Sequence, residues 1–81
     1  MKQITFIQHA LDRLKERGIS EELVIEVIRN PDNVDSEIEG RKIAQKLIKG
    51  KLLRIIYDDE EGSIVVISAY STSKVQKYLR N

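Results

Sequence analysis

The stretch HALDRLKERGISEELVIEVIRNPD, residues 9–32, decides the fold. Ile7, Ala10, Leu11 and Leu14 recur at the three- and four-residue steps of one helix face. Gly18 then supplies the left-handed residue on which such a helix ends. Ser20 followed by Glu21 and Glu22 marks a second start, with a hydroxyl to cap the first turn and acids where the helix dipole favours them. Leu23, Val24, Val27 and Ile28 form its apolar stripe. Pro31 stops it, because the residue before a proline is driven out of the helical region. The spacing predicts helices over about 6–17 and 21–30, with Thr5 capping the first and Gly18 to Ser20 joining them in a tight hairpin.

Downstream of Asp32 the apolar period shifts toward two and β-branched residues become frequent, which is the pattern of a strand meander. Strands are predicted near 33–39, 42–49, 51–58 and 63–71, with turns at Gly40, Lys49-Gly50 and Glu60-Glu61-Gly62. Upstream, Met1 to Thr5 reads as a short strand or an irregular arm, and the tail from Thr72 to Asn81 as a short helix or an arm. The expected architecture is one α+β domain over 1–81, with the N-terminal two-helix hairpin packed on one face of a three- to four-stranded antiparallel sheet.

Alternation along the strands sorts the side chains into two faces. Ile43, Leu47, Leu53, Ile55, Tyr57, Val65, Ile67 and Ala69 form a nearly all-apolar set expected beneath the helices. Lys42, Lys46, Arg54, Ser68 and Tyr70, mixed with Ile48, Leu52, Ile56, Ile64 and Val66, form the other. That second face is too apolar to lie bare and too basic for a core, which points to a partner.

A chain of 81 residues holds one domain, and any chemistry belongs on an open face or at a subunit junction. There is no cysteine to staple so small a core, so hydrophobic packing carries it and a homodimer is expected. No apolar run reaches the length of a signal peptide or membrane span, so a cytoplasmic protein without membrane contact is expected. The net charge is only +1, yet it is segregated. Ser20 to Gly40 carries Glu21, Glu22, Glu26, Asp32, Asp35, Glu37 and Glu39 against Arg29 alone, whereas Arg41 to Arg54 carries Arg41, Lys42, Lys46, Lys49, Lys51 and Arg54 with no acid. Such a field orients an anionic partner even when the total nearly cancels.

His9, Arg13 and Arg17 are spaced by four and share a helix stripe. Imidazole can move a proton near neutral pH, and guanidinium can hold a phosphate, so the trio suits phosphodiester chemistry. Its structural alternative is a solvated rim paired with acids. Arg54 interrupts the apolar strand LLRIIY, residues 52–57, and a central-strand arginine needs water, an acid or a ligand. Tyr70, Ser71, Thr72, Ser73 and Lys74 form the densest polar cluster, able to bind phosphate oxygens or to cap the tail helix, and Lys77 extends its charge. The acidic run Asp58 to Glu61 lacks the spaced oxygens of a calcium loop, and no zinc ligand set or phosphate-binding glycine loop occurs. Neither metal nor cofactor is expected.

Across HALDRLKERGIS, then EGRKIAQKLIKGKLLRIIY and ISAYSTSKVQKYL, the chain resembles the domain of unknown function 4258 family. That group is similar to the RelE-like and BrnT-like toxins of toxin-antitoxin modules, whose fold is a helix pair on an antiparallel sheet. The resemblance implies a messenger RNA endoribonuclease, acting on mRNA or at the ribosome and neutralised by an antitoxin protein. It implies His9, Arg13, Arg54 and Tyr70 as catalytic residues and Arg17, Thr72 and Lys74 as RNA-binding ones, to which the charge pattern adds Lys42, Lys46 and Lys77. His9 or Tyr70 would carry the proton, and Arg13, Arg54 and Lys74 would stabilise charge. The alternative is a non-catalytic homodimeric or protein-binding module on the same fold.

Overall fold

The computed structural model describes residues 2–36 and 40–79. In chain order the elements are β1 (Gln3–Phe6), α1 (Gln8–Arg17), α2 (Glu21–Arg29), β2 (Asn33–Ser36), β3 (Arg41–Ile48), β4 (Lys51–Glu60), β5 (Ser63–Thr72) and α3 (Val75–Tyr78). The predicted strand over 33–39 ends at Ser36 among the described residues, and its last three positions lie outside them.

Both long helices end as their residues dictate. Gly18 adopts φ +66 and closes α1, while the Ile19 amide donates to the Leu14 carbonyl at 2.9 Å. Ser20 caps α2, its hydroxyl accepting from the Leu23 amide at 3.1 Å. Thr5 does not cap α1: it belongs to β1, its hydroxyl donates to the Ile64 carbonyl at 3.5 Å, and Ile7 occupies the cap position without a side-chain bond.

The sheet corrects the expected one. It has five strands in the order β1-β5-β4-β3-β2, and β1 runs parallel to β5 while every other pair is antiparallel. A parallel edge strand needs a long crossover, and α1 with α2 provides it, carrying the chain from one sheet edge to the other over a single face. The helices dock on strands, α1 along β5 and α2 on β3 and β4. Ala10, Leu14, Val24 and Val27 meet Ala44, Leu53, Ile55, Tyr57, Val66 and Ala69 in the core, flanked by Ile4 and Phe6 of β1.

The face assignment holds for β4 and fails on its neighbours. Ala44 lies opposite Ile55 and so faces the helices, whereas Ile43 and Leu47 point the other way. A β-bulge causes the failure on β5: Ile56 pairs with Ser68 but Tyr57 with Val66, leaving Ile67 without a partner on β4. Alternation therefore inverts before the bulge, and Ile64 and Val66 join the helix side. Lys42 and Lys46, opposite Tyr57 and Leu53, join it too.

Asp59, between Lys2 and Lys42, ties the β1 end of the sheet together, with Lys42 Nζ 2.8 Å from its carboxylate. These hydrogen bonds hold the Asp59 carboxyl below its ordinary value and raise the Lys42 ammonium. A carboxyl depressed on folding contributes stability above its unfolded value, near 4, and loses it as pH falls through its folded value. Below about pH 4 the melting temperature of the native chain is therefore expected to fall more steeply than that of Asp59→Asn, by a few degrees in a calorimetric pH series.

Candidate functional site

The bulge and the hairpin register build one row of polar side chains on the face away from α1 and α2. Lys49 and Gly50 form a two-residue turn with φ of 50 and 82, which fixes Ile48 opposite Lys51 and hence Gln45 opposite Arg54. Beyond β4, Tyr70 lies opposite Arg54. Directly opposed residues share a face with Cβ atoms about 5 Å apart, so the three side chains meet.

Arg54 is 7% exposed and Gln45 fully buried. Arg54 Nε donates to Gln45 Oε1 at 2.8 Å, and one terminal guanidinium nitrogen donates to the Tyr70 hydroxyl. Gln45 Nε2 donates in turn to Asp35 Oδ2 at 3.0 Å, and Asn33 to Asp35 Oδ1 at 3.1 Å. The row thus runs Asp35, Gln45, Arg54, Tyr70. Short α3 places Tyr78 over it, the ring centre 3.7 Å from Arg54 Cζ. The Tyr78 phenol is held below its ordinary value, chiefly by hydrogen bonding with Tyr70 and further by the positive charges of Lys77 and Arg54.

Among the described residues, no carboxylate lies within 4 Å of the Arg54 guanidinium. Its partners are an amide, a phenol and an aromatic face, all neutral. Removing a charge from water costs several kcal/mol unless an opposite charge repays it, and neutral partners repay only part. The nearest carboxylate in the row, Asp35, reaches the guanidinium only through Gln45.

The structure divides the predicted site residues. Arg54 and Tyr70 stand together, and Thr72 lies on the same face one pair further along, opposite Leu52. The Thr72 hydroxyl accepts from the Lys74 amide at 3.1 Å, shaping the entry to α3. Lys77 sits 5.2 Å from the Tyr78 ring centre. His9 and Arg13 belong to α1, in the layer on the other side of the sheet; His9 is exposed and Arg13 pairs with Glu16 at 2.8 Å. Arg17 donates to the Ala69 carbonyl at 2.7 Å, covering β5 beyond the point where β1 stops pairing. Lys42 is bound to Asp59, and Lys46 donates to the Asn30 carbonyl at the end of α2 at 3.0 Å. Those two lysines serve the helix side and lie away from Arg54.

Sequence reasoning missed Gln45, Asp35 and Tyr78. The first was within reach, since counting back from the Lys49-Gly50 turn sets it opposite Arg54. Tyr78 carries no such signal, because a four-residue helix has no periodicity to read. Among the described residues no group of three His, Asp or Glu side chains converges as metal ligands would, and no helix is long and apolar enough to cross a membrane.

Fold and site together define an α+β domain whose sheet face away from α1 and α2 presents a buried arginine between two tyrosines. Residues 6–71 match the family model described as "Domain of unknown function (DUF4258)", and the chain belongs to that family. No curated protein and no solved structure matches it.

Proposed function

We propose that this chain is a RelE-like toxin of a toxin-antitoxin module, an endoribonuclease that cleaves messenger RNA on the Arg54 face of its sheet. One observation carries the reading: the near-complete burial of Arg54 among neutral partners. A phosphodiester supplies the missing negative charge and accepts from the planar guanidinium fork. The ribose 2′-hydroxyl attacks the adjacent phosphorus, its proton passing to a base, while the 5′-oxygen leaves with a proton from an acid. Tyr78, stacked on the guanidinium, closes the site from one side, and a water molecule is the base that takes the 2′-hydroxyl proton. Tyr70, whose hydroxyl oxygen accepts from Arg54 and keeps its own proton to give, serves as the acid, and Arg54 steadies the crowded phosphate. Lys77 and Lys74 extend the positive field along the RNA.

This reading places the chemistry in the Arg54 half of the expected residue set. His9 and Arg13, across the sheet, take no part in it. Inducing the chain alone in a bacterial host is then expected to arrest growth and to generate new 5′ ends in messenger RNA mapped by primer extension. Arg54→Gln relieves the arrest and His9→Ala does not. Harmless expression, with intact RNA in the presence and absence of ribosomes, contradicts the proposal.

A second reading, a non-catalytic homodimeric or protein-binding module, draws support from Leu47, which is 48% exposed on the same face as Arg54. It predicts that Leu47→Asp converts a wild-type dimer to monomers in sedimentation velocity. A wild-type monomer excludes the homodimer.

A further inference from the structure

At the other side of the sheet, between the α1–α2 turn and the β3–β4 hairpin, lies a groove of about 420 Å³. Ile19, Leu23, Ile48 and Leu53 make its floor, and Arg17, Lys49 and Lys51 its charged rim. Among the described residues, no acid and no aromatic ring lines it. Leu53 and Ser71 belong to the face under the helices, so the groove is separate from the Arg54 row.

Three features mark it as more than a solvated edge. None of the three cations forms an ion pair with a described residue. Arg17 is fixed in place by its bond to the Ala69 carbonyl. Lys49 holds φ +50, a left-handed conformation in which glycine, asparagine or aspartate would sit at less cost. The turn thus holds a lysine in a conformation that disfavours it and sets its charge at the rim of the groove.

We propose that this groove docks an acidic, leucine-bearing segment of a protein partner. An aliphatic side chain of the partner covers the floor, and flanking carboxylates meet Arg17, Lys49 and Lys51. The absence of any ring argues for peptide over nucleic acid, because unpaired bases are held largely by stacking on aromatic side chains. The proposal stands independently of whether the Arg54 face cleaves RNA.

The test uses the full chain and a fluorescein-labelled decapeptide of glutamates around two leucines, read by fluorescence anisotropy. Saturable binding is expected, weakened by salt and by replacing the leucines with serine. Lys49→Gly removes the charge and the backbone strain together, so affinity falls about fivefold while the melting temperature stays equal or rises. Arg54→Gln leaves peptide binding unchanged. No saturable binding, or binding indifferent to Lys49→Gly, overturns the proposal. So does a preference for a labelled single-stranded RNA that Lys49→Gly weakens, which would make the groove a nucleic-acid site.

Discussion

Arg54→Gln is expected to lower the rate of RNA cleavage by at least about a hundredfold with the fold intact. Glutamine keeps a hydrogen-bond donor in the row but removes the positive charge, so the substitution isolates the electrostatic role. A preorganised cation beside a transferring phosphate acts in a water-poor site, where its charge is screened far less than at the surface. The same substitution relieves the cost of burying a guanidinium that no described acid neutralises. Stability should therefore change little while cleavage collapses, and initial rates on a defined RNA together with a thermal melt separate the two. Unchanged cleavage with a large drop in melting temperature would make Arg54 a structural residue.

Gln45→Leu should act in the opposite sense, costing about 2–3 kcal/mol of stability in urea unfolding. Gln45 is fully buried and bridges Asp35 to Arg54, accepting from Nε at 2.8 Å and donating to the carboxylate at 3.0 Å. Leucine leaves a buried guanidinium nitrogen without its acceptor, and hydrogen bonds to charged groups are the costly ones to lose. Adding Arg54→Met removes the stranded donor as well. The double variant is expected to recover at least about 1 kcal/mol over Gln45→Leu, a coupling read from a double-mutant cycle. Simple additivity would show that Gln45 and Arg54 do not depend on each other.

The readable parts of this fold were those governed by local rules. Gly18, Ser20 and Pro31 mark helix ends through backbone geometry and capping, and the structure places α1 and α2 within two residues of the expected bounds. Strand existence followed from alternation, and β4, flanked by partners on both sides, gave its faces correctly. What failed depended on neighbours. Met1 to Thr5 reads as either a strand or an arm, and what no pattern within four residues carries is that β5 offers an edge on which β1 pairs in parallel. The bulge at Ile67 shifts the alternation by one, so counting through it inverts Ile64, Val65 and Val66. On β3 the larger Ile43 and Leu47 drew the inward assignment, although small Ala44 is the residue buried against the core cluster.

The site was legible to the same extent. A lone arginine in LLRIIY and a tyrosine at the strand exit were visible as chemistry, and the sheet brings them together. Grouping them with His9 and Arg13 needed the side of the sheet on which α1 lies, and matching residue types says nothing of that. Lys42 and Lys46 were misplaced by the one-residue register error on β3, which moved two helix-side tethers onto the open face.

The central claim is that Arg54 is held ready for a phosphate. Titrating the uniformly labelled protein with a ribodinucleotide monophosphate, and following the Arg54 Nε–H and the Tyr70 and Tyr78 ring signals by NMR, tests it most directly. Saturable shifts at all three, lost in Arg54→Gln, are the predicted result. Shifts confined to exposed lysines, with the Arg54 signal unmoved at saturating ligand, would contradict it.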